Sequence, residues 1–389
     1  MQRYSDYKVV LLNSKTASSN KKIQKRGATA AQHSRHVSSI PQSRPESSHL
    51  SDSLSRLSFS FQYAIGRGGF GKVWRVEMKK NRNLYALKEM QKLRVISKRS
   101  VHSVMNERQI LESLRSPFIV NMHYAFQDRE NLYLVLDLKN GGDLRYHIAK
   151  VKKFSEIQVK FFICCILFGL QFIHSNNVIH RDIKPENLVF DDKGYLFITD
   201  FGIARRWVPE NSKDTSGTPG YMAPEVIFRQ NHTFAADYFA VGVILYELIM
   251  KRRPYIGRDR KEIRDQIISK QARIAEIQEG WSAEAIDFTN KMVQRKVSSR
   301  LGNGGFAEVC SHPWLRDFPW RDLFSVTLQA PFVPKAQDNF DPRNLGEWKD
   351  EIDPTIDLAN SQNLFLGYGY DERVLMSVQG GHKKSLSLV

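Results

Sequence analysis

The sequence contains the stretch Ile179-His180-Arg181-Asp182-Ile183-Lys184-Pro185-Glu186-Asn187, followed after a short gap by Thr199-Asp200-Phe201-Gly202. Asp182 can orient an attacking hydroxyl and accept its proton, and Lys184 can hold a migrating phosphate. Asn187 and Asp200 offer the hard oxygen ligands that Mg²⁺ prefers. The two motifs therefore predict a phosphoryl-transfer centre, in which the first pair of residues is catalytic and the second pair binds the metal.

The order and spacing of these motifs narrow the interpretation. Asn187 and Asp200 stand thirteen residues apart, and either motif alone would carry little weight. Together they resemble the catalytic loop and the metal-binding loop of eukaryotic protein kinases, and Lys184 resembles the residue typical of the serine/threonine-specific branch. The resemblance implies ATP and Mg²⁺ as cofactors, and transfer of the γ-phosphate to serine or threonine hydroxyls of protein substrates.

A glycine-rich loop lies upstream, where a kinase would bind the phosphates of ATP. Residues 66–73 follow the pattern GxGxxGxV, and glycines let backbone NH groups approach phosphate oxygens closely. A dinucleotide-binding loop shares this spacing but runs from strand to helix. Here both flanks, 61–65 and 73–76, are strand-like, so we predict a hairpin over the nucleotide. Its binding residues are Gly66, Gly68, Gly71 and Val73.

The next strand supplies a cation for the phosphates. In residues 84–90 the alternation puts Ala86 and Lys88 on one face. The following helix, expected from about residue 103 to 114, carries Glu107 on an apolar stripe, where a carboxylate is costly unless it is paired. Glu107 could also reach solvent as an ordinary edge residue. By resemblance to kinases it pairs with Lys88, which then contacts the phosphates, and Ala86 belongs to the nucleotide-binding residues.

Composition changes divide the chain into four regions. Residues 1–58 form a Ser-rich basic tail that we predict to be disordered, and 59–138 are strand-rich with one helix. Residues 139–315 are mostly helical, and 316–389 are irregular. The predicted fold class is α+β. By resemblance it is the two-lobed protein kinase fold, with a small lobe of five antiparallel strands at 59–138 over a larger helical lobe at 139–315.

The two predicted lobes are joined by Leu136-Asp137-Leu138-Lys139-Asn140-Gly141-Gly142-Asp143-Leu144. By resemblance this is the kinase hinge, where backbone groups near Asp137 and Leu138 bind adenine and Asp143 reaches the ribose. Asp143 also fits a helix N-terminus, where an acidic side chain is favoured by exposed NH groups. The two roles of Asp143 are compatible.

Charge and cysteine content limit the expected partners. The chain of 389 residues has a formal net charge of +17, which can suggest nucleic acid or an anionic membrane. Much of the excess lies in the tail without aromatic interleaving, so we expect no nucleic-acid binding. The three cysteines show no metal-ligand spacing and indicate a reduced, cytoplasmic protein. They are Cys164, Cys165 and Cys310.

The longest apolar run, 161–170, is too short to span a bilayer, which needs about 20 residues. It predicts instead the buried central helix of the helical lobe. The N-terminus offers neither an apolar signal region nor a glycine at position 2. We therefore expect no stable membrane insertion, and we expect the chain to be a monomer.

Downstream motifs extend the resemblance to about residue 341. Residues 217–225 resemble the substrate-facing loop and the APE motif of kinases, in which Glu225 would pair with Arg300. Asp237 resembles the helix acid that ties down the backbone of the catalytic loop. These positions are architectural, and they predict how the large lobe holds the site.

The region 316–389 is similar to the C-terminal tail of AGC kinases, the group of protein kinases A, G and C. The similarity depends on the order of three segments, which are His312-Pro313-Trp314-Leu315, Ala330-Pro331-Phe332-Val333-Pro334 and Asn339-Phe340-Asp341-Pro342. It implies that Phe340 lies near the adenosine. Within the group, shorter segments look most like YANK-type and protein kinase A-like kinases.

Two positions depart from the AGC pattern. Where these kinases usually carry a phosphothreonine, this chain has Asp214, which would act as a built-in negative charge against Arg181. Alternatively, Thr215 or Ser216 takes the phosphate. Near the end, residues 365–372 have the aromatic spacing of the AGC hydrophobic motif, but glycine occupies the phosphorylatable position. The segment either docks beside the helix of Glu107, with acidic residues replacing the charge, or packs elsewhere.

The sequence also bears on which substrates are preferred and on whether the chain is an active enzyme. Asp143 and Glu186 put acidic side chains near the substrate cleft, and the resemblance implies a preference for Arg or Lys N-terminal to the target. The alternative from another class is a pseudokinase, a scaffold with the same fold and no turnover. The residues that separate the two are all present. They are Lys88, Asp182, Asn187 and Asp200.

Overall fold

The computed structural model describes residues 54–335 and 355–373. Within these ranges the chain has the expected α+β architecture, in which an antiparallel sheet forms the small lobe and helices dominate the large lobe. The predicted disorder of residues 1–53 and the predicted position of Phe340 lie outside the described residues.

The last residues of the predicted tail belong to the small lobe. Arg56–Ser58 form a 3-10 turn that leads into the first strand, and Leu54 packs against the apolar cluster of the sheet. The backbone NH of Ser55 donates to the hydroxyl of Ser58 at 3.2 Å. The small lobe therefore begins before residue 59, the boundary predicted from composition. Local hydrogen bonds and the packing of Leu54 are enough to hold this polar stretch.

The described residues contain ten strands, and six of them form the sheet of the small lobe in the order β1-β2-β3-β5-β4-β10, with antiparallel neighbours. Two short pairs, β6 with β9 and β7 with β8, lie in the large lobe. The strands are β1 Phe59–Arg67, β2 Gly71–Met78, β3 Leu84–Gln91, β4 Met122–Gln127, β5 Asn131–Asp137, β6 Val178–Ile179, β7 Leu188–Phe190, β8 Leu196–Ile198, β9 Arg205–Arg206 and β10 Tyr370–Asp371. The prediction of five strands in the sheet was one too few, because β10 comes from the C-terminal region.

The helices of the described residues follow the predicted division, except that the small lobe has the short helix Lys92–Ser97 besides the one helix predicted there. They are α1 Lys92–Ser97, α2 Val101–Ser113, α3 Leu144–Lys150, α4 Glu156–Ser175, α5 Pro224–Ile227, α6 Ala235–Met250, α7 Arg260–Ser269, α8 Ala283–Met292, α9 Phe306–Ser311 and α10 Trp320–Phe324. α2 is the helix predicted to carry Glu107, and its stripe of Val104, Leu111 and Leu114 is buried as expected. The region beyond 316, predicted to be irregular, contains α10 and β10.

The apolar run predicted to be buried lies in α4, the central helix of the large lobe. α4 is long and apolar enough to cross a membrane by length and composition, but most of it is buried in the protein core, against α6 and β8. Ser155 and Gln158 form a capping box that sets its start. Burial raises the pKa of Cys164 and of Cys165, so both thiols stay protonated and serve as core residues.

A buried ion pair braces the large lobe at α5. Both guanidinium nitrogens Nη1 and Nη2 of Arg300 contact the carboxylate of Glu225, at 2.6 and 2.8 Å. Both side chains are almost fully buried. This confirms the predicted pairing, and removal of one partner would cost about 3–5 kcal/mol because the other charge would remain buried.

Candidate active site

A cleft of about 490 Å³ lies between the sheet of the small lobe and the large lobe. It brings together most of the residues predicted from sequence, which are Gly66, Gly68, Val73, Ala86, Lys88, Glu107, Asp137, Asp143, Asp182, Asn187 and Asp200. Three predicted site residues do not line it, namely Gly71, Leu138 and Lys184. Gly71 and Lys184 make other contacts, which are described below, and Leu138 lies between two hinge residues that do line the cleft.

Gly71 is required for packing between strands. A Cβ atom at this position would lie 1.6 Å from the carbonyl oxygen of Glu89 in β3. At Gly66 and Gly68 a Cβ would meet nothing closer than 3.7 Å, so these two glycines leave open space beside the cleft. The NH of Gly68 donates to the carbonyl of Gly71 at 2.8 Å, which closes the turn. The loop joins β1 to β2 as a hairpin, and this excludes the strand-to-helix arrangement of a dinucleotide-binding loop.

Lys88 lies in a buried ion network. Its Nζ is 2.7 Å from Glu107 Oε1 and 3.6 Å from Asp200 Oδ1. Lys88 is on β3 opposite Val73, and Glu107 is on α2, so the pair joins the sheet to the helix. Burial would lower the pKa of Lys88, but Glu107 and Asp200 raise it above its ordinary value and the amine stays charged. The predicted pair is confirmed, because only 4% of the Glu107 side chain is exposed.

The carboxylate of Asp182 is held by three side chains. The Asn187 amide donates to the carbonyl oxygen and to Oδ2 of Asp182, at 2.9 and 3.0 Å. The Thr218 hydroxyl donates to Oδ1 at 2.6 Å. Lys184 Nζ lies 2.7 Å from Oδ2 and donates to the Thr218 hydroxyl at 2.8 Å. Lys184 therefore stands beside Asp182 at the mouth of the cleft, and one hydroxyl contacts both residues.

Asp237 holds the backbone of the catalytic loop. It accepts hydrogen bonds from the NH groups of His180 and Arg181, at 2.9 and 2.8 Å, and lies 2.8 Å from His174 Nε2. Burial would raise the pKa of Asp237, but His174 keeps it below its ordinary value. The predicted contact is confirmed. It helps Arg181 keep a left-handed backbone, with φ of 69°, which costs a residue other than glycine about 1–3 kcal/mol.

Asn187 and Asp200 fit a magnesium site that a nucleotide would complete. Because the amide nitrogen of Asn187 is bonded to Asp182, its Oδ1 is the atom left to bind a cation. The enclosed position of Asp200 would raise its pKa, but Lys88 holds the pKa below its ordinary value and the carboxylate stays ionised. Within 54–335 and 355–373, no group of three or more His, Cys, Asp and Glu side chains is arranged so that it could hold a metal ion by itself. This suits Mg²⁺, which takes one or two carboxylates and completes its shell with phosphates and water.

The predicted hinge follows β5, and the side chain of Asp137 has a structural task there. Its carboxylate accepts from the Asn121 amide at 2.9 Å and lies 2.7 Å from His123 Nε2. The lining of the cleft includes Asp137 and Lys139 but not Leu138. Binding of adenine by backbone groups near Asp137 and Leu138 stays a prediction.

Asp143 caps the helix that follows the hinge. Its Oδ1 accepts a hydrogen bond from the NH of Tyr146 at 2.8 Å, in the first turn of α3. The same residue lines the cleft. The expected N-terminal role is confirmed, and contact with a ribose stays a prediction.

Asp214 approaches Arg181, but the contact is loose. The atoms Arg181 Nη1 and Asp214 Oδ2 are 3.4 Å apart, and 44% of the Asp214 side chain is exposed. This Nη1 has no hydrogen-bond partner in the part of the chain that the structure describes. Thr215 is half-buried and Ser216 is exposed. Replacement of a phosphate by Asp214 therefore stays a prediction, as does phosphorylation of Thr215 or Ser216.

Residues 362–372, here called the C-terminal segment, dock on the small lobe. Gln362–Phe365 form a 3-10 turn near α2, and β10 extends the sheet beside β4. Phe365 and Tyr368 are fully buried. Of the two packing arrangements left open by the sequence, the structure has the docked one.

Polar contacts hold the C-terminal segment against the small lobe. Arg108 Nη2 donates to the carbonyl oxygen of Gly369 at 2.6 Å. Glu372 contacts Arg115 Nη1 at 2.6 Å and His123 Nδ1 at 2.8 Å. Asp371, also expected to supply charge, pairs instead with its neighbour Arg373. Glu372 is thus the acidic residue that ties the segment to the sheet.

Two of the acidic side chains near the site are paired within the chain. Arg145 Nε lies 2.9 Å from Glu186 Oε1, and Arg145 Nη1 lies 2.8 Å from Glu247 Oε1. The Tyr221 hydroxyl donates to Glu247 Oε2 at 2.7 Å and contacts Arg145. Sequence patterns pointed to Glu186 but missed Arg145 and Glu247, because 41 and 102 residues separate Arg145 from its two partners. Thr218 was missed as a contact of Asp182 for the same reason.

Comparison with known proteins agrees with this geometry. Residues 59–315 match the Protein kinase domain family. A Dictyostelium discoideum protein described as a probable serine/threonine-protein kinase is 35% identical over 324 residues, which cover 81% of this chain and 70% of that protein. The serine/threonine-protein kinase sgk-1 of Caenorhabditis elegans is 36% identical over 304 residues, 76% of this chain and 65% of that protein.

A mammalian relative gives a similar alignment. The serine/threonine-protein kinase Sgk1 of Rattus norvegicus is 32% identical over 329 residues, which cover 80% of this chain and 76% of that protein. The chain thus spans between 65% and 76% of the length of these three relatives.

Proposed function

The chain belongs to the protein kinase domain family, and on that premise we propose that it transfers the γ-phosphate of ATP to serine or threonine hydroxyls of protein substrates. Its relatives include Sgk1, so it is placed with the serine/threonine kinases of the AGC group. The closer likeness to YANK-type kinases stays a prediction.

The contact of Thr218 with Asp182 and Lys184 carries this proposal. A hydroxyl lies 2.6 Å from Asp182 Oδ1 and 2.8 Å from Lys184 Nζ, within hydrogen-bond reach of both a proton acceptor and a cation. A substrate hydroxyl in the same position would lose its proton to Asp182 as it attacks. Lys184 would stabilise the charge on the transferring phosphoryl group.

The remaining residues of the cleft position the nucleotide. Lys88, held charged by Glu107, would contact the α- and β-phosphates, and the hairpin between β1 and β2 would cover them and exclude water. Asn187 and Asp200 would hold Mg²⁺, which supplies neutralisation of phosphate charge when it is bound. None of the residues whose loss would define a pseudokinase is missing, so a scaffold without turnover has no support.

We also propose a cytoplasmic location and a monomeric state. The location is supported by free cysteines, of which Cys164 and Cys165 are buried. Fractionation of cells and analytical ultracentrifugation of the purified chain would test the two statements separately.

The proposed activity is tested by Asp182→Asn, which removes the proton acceptor without changing the size of the side chain. We expect kcat to fall by about 10²–10⁴-fold, the usual contribution of a general base, with an unchanged Tm. Asp192→Asn makes the same chemical change at an exposed turn and should leave kcat unchanged. Turnover of Asp182→Asn near that of the wild type, measured with a peptide mixture, ATP and Mg²⁺, would contradict the mechanism.

A further inference from the structure

Four side chains form a cluster beside the catalytic loop, here called the Arg145 cluster. They are Arg145, Glu186, Tyr221 and Glu247. Glu186 lines the cleft and belongs to the same loop as Asp182. Arg145 follows the cleft residue Asp143 at the start of α3. Tyr221 lies in the loop that also carries Thr218, whose hydroxyl contacts Asp182. A peptide that brings its hydroxyl to Asp182 therefore passes this cluster.

The guanidinium of Arg145 uses all three of its nitrogens inside the cluster. Nε contacts Glu186 Oε1 at 2.9 Å, while Nη1 and Nη2 contact the two carboxylate oxygens of Glu247 at 2.8 and 3.1 Å. Nη2 also contacts the Tyr221 hydroxyl. Bidentate pairing between arginine and carboxylate is among the strongest charge-assisted geometries in proteins. Arg145 therefore pairs with both carboxylates before any substrate arrives, although one negative charge remains on the cluster.

Burial shows which of the two contacts anchors Arg145. The Glu247 side chain is 9% exposed, and a carboxylate so enclosed needs a cation. Glu186 is 45% exposed, and ion pairs of that kind contribute about 0–1 kcal/mol. Burial and Glu247 raise the pKa of Tyr221, so its hydroxyl stays protonated and keeps donating to Glu247. Arg145 is thus fixed at Glu247, and from there it reaches Glu186.

We propose that Arg145 is a specificity-determining residue that occupies the acidic pair Glu186 and Glu247, so that this pair does not select Arg or Lys next to the target hydroxyl. A substrate cation would have to displace a side chain of the same chemistry that is tethered beside the site, and tethering gives the internal group a high effective concentration. This inference rests on the proposed kinase activity. It narrows the basic preference expected from Asp143 and Glu186 to Asp143, since Glu186 is already paired with Arg145.

A purely structural role for Arg145, as the counter-ion of buried Glu247, would not affect substrate choice. The two roles are separated by a ratio, the kcat/KM of a peptide with Arg at one flanking position divided by that of its Ala counterpart. A positional library of serine peptides gives this ratio at every flanking position. We expect the wild-type ratio to stay within about twofold of unity at the positions where Glu186 and Glu247 would bind a substrate cation. In Arg145→Met it should rise at one or more positions by about tenfold, the effect of one good charge-assisted hydrogen bond.

Two further variants locate the effect. Adding Glu186→Gln to Arg145→Met should reduce the gained ratio, because it removes one of the two freed carboxylates. Arg258→Ala removes an arginine that is 91% exposed and paired with Glu262 on α7, and its ratios should match those of the wild type. A third variant, Glu186→Gln alone, tests the proposal if Arg145→Met fails to fold. If Arg145 occupies Glu186, the Arg to Ala ratio of Glu186→Gln should equal that of the wild type. If Glu186 is free to bind a substrate cation, the ratio should fall.

Fluorescence anisotropy of labelled Arg and Ala peptides separates this inference from the proposed activity. Absence of turnover with every peptide would overturn the kinase activity, and the binding ratio of wild type to Arg145→Met would still decide the role of Arg145. A wild-type enzyme that selects Arg tenfold or more, and loses that selection in Glu186→Gln, would overturn the inference. So would an Arg145→Met variant, folded as shown by its Tm, whose Arg to Ala ratio equals that of the wild type in both assays.

Discussion

The loop around Asp214 and the C-terminal segment are attached to the protein by contacts of different quality. Asp214 is nearly half exposed and approaches Arg181 at 3.4 Å. The C-terminal segment instead buries Phe365 and Tyr368 completely and adds a strand to the sheet. One region depends on a single partly solvated charge, and the other on apolar burial with short hydrogen bonds.

The same two regions resemble the places where AGC kinases carry phosphorylated residues, and this chain has Asp214 and Gly369 there. In the pair of Asp214 with the buried Arg181, water screens the half-exposed carboxylate and weakens the attraction, whereas truncation of a buried phenylalanine typically costs about 3–5 kcal/mol. The C-terminal segment can therefore stay docked without modification. The loop at Asp214 depends on a contact that salt or a modification can readily change.

Disruption of the C-terminal segment should have the largest effect. In Phe365→Ala we expect undocking, a lower Tm and a fall of about tenfold in kcat/KM, equivalent to about 1.4 kcal/mol. The reason is that the segment packs beside α2, which positions Glu107 against Lys88. Thermal melts and peptide phosphorylation assays would measure both changes.

Two control variants belong to that prediction. Leu366→Ala changes a side chain that is 75% exposed and should affect neither quantity. Tyr368→Phe keeps the buried ring and removes a hydroxyl without a hydrogen-bond partner among the described residues, so its Tm should be equal or slightly higher. An unchanged Tm and kcat/KM in Phe365→Ala would show that docking does not support the active site.

The next effect concerns pH. Burial would lower the pKa of His123, but hydrogen bonds to Asp137 and Glu372 raise it to about 9 from the ordinary 6.5. The charged imidazole therefore stabilises the fold fully below pH 6.5, and this contribution is lost as the pH rises through about 9. In Glu372→Gln we expect Tm near pH 7 to fall by about 2–4 °C, corresponding to about 1 kcal/mol.

The difference in Tm between wild type and Glu372→Gln should shrink as the pH rises from about 7 to about 10, because His123 loses its charge in both proteins. Asp371→Asn is the matched control, since the Asp371 side chain pairs with Arg373, two residues further along the chain, and not with His123. A difference that is constant over this range would exclude a contribution from the charge of His123.

The smallest effect is expected at Asp214. Enzyme made in bacteria and treated with phosphatase should keep most of its activity, and Asp214→Ala should lower it a few-fold through loosening of the loop that approaches Arg181. Because the contact is partly exposed, added salt should reduce the difference between the two proteins. Steady-state kinetics at low and high ionic strength would measure it.

The opposite pattern would assign the role to a phosphate. In that case phosphatase inactivates the wild type, Thr215→Ala or Ser216→Ala does the same, and Asp214→Ala is mild. Either result sharpens the contrast with the C-terminal segment, whose docking should be indifferent to phosphatase.

Much of the site could be predicted because the reaction demands particular side chains at short spacing. Asp182, Lys184 and Asn187 lie within one loop, and a proton acceptor, a cation and an oxygen ligand so close together are typical of phosphoryl transfer. The pair of Lys88 and Glu107 was also predictable, since a carboxylate on an apolar stripe needs a cation.

Other features could not be predicted because their partners are distant in sequence. Gly71 was assigned to phosphate binding, but its missing Cβ serves the approach of β3, which depends on strand register. The sheet was expected to have five strands, and the sixth comes from residues more than two hundred positions away along the chain. The approach of β3 to Gly71 and the pairing of β10 with β4 join residues distant in sequence, so no local sequence pattern indicates them.

The chemistry of this protein follows from residue types in two short motifs, because phosphoryl transfer accepts few substitutes for the groups that perform it. Folding decides which charges remain available to a substrate and whether the C-terminal segment is held against the small lobe. Glu186 looks like a free acid in the sequence, yet Arg145 pairs with it in the folded protein. Availability of a charge depends on its neighbours and its exposure, and chain folding brings those neighbours from distant positions.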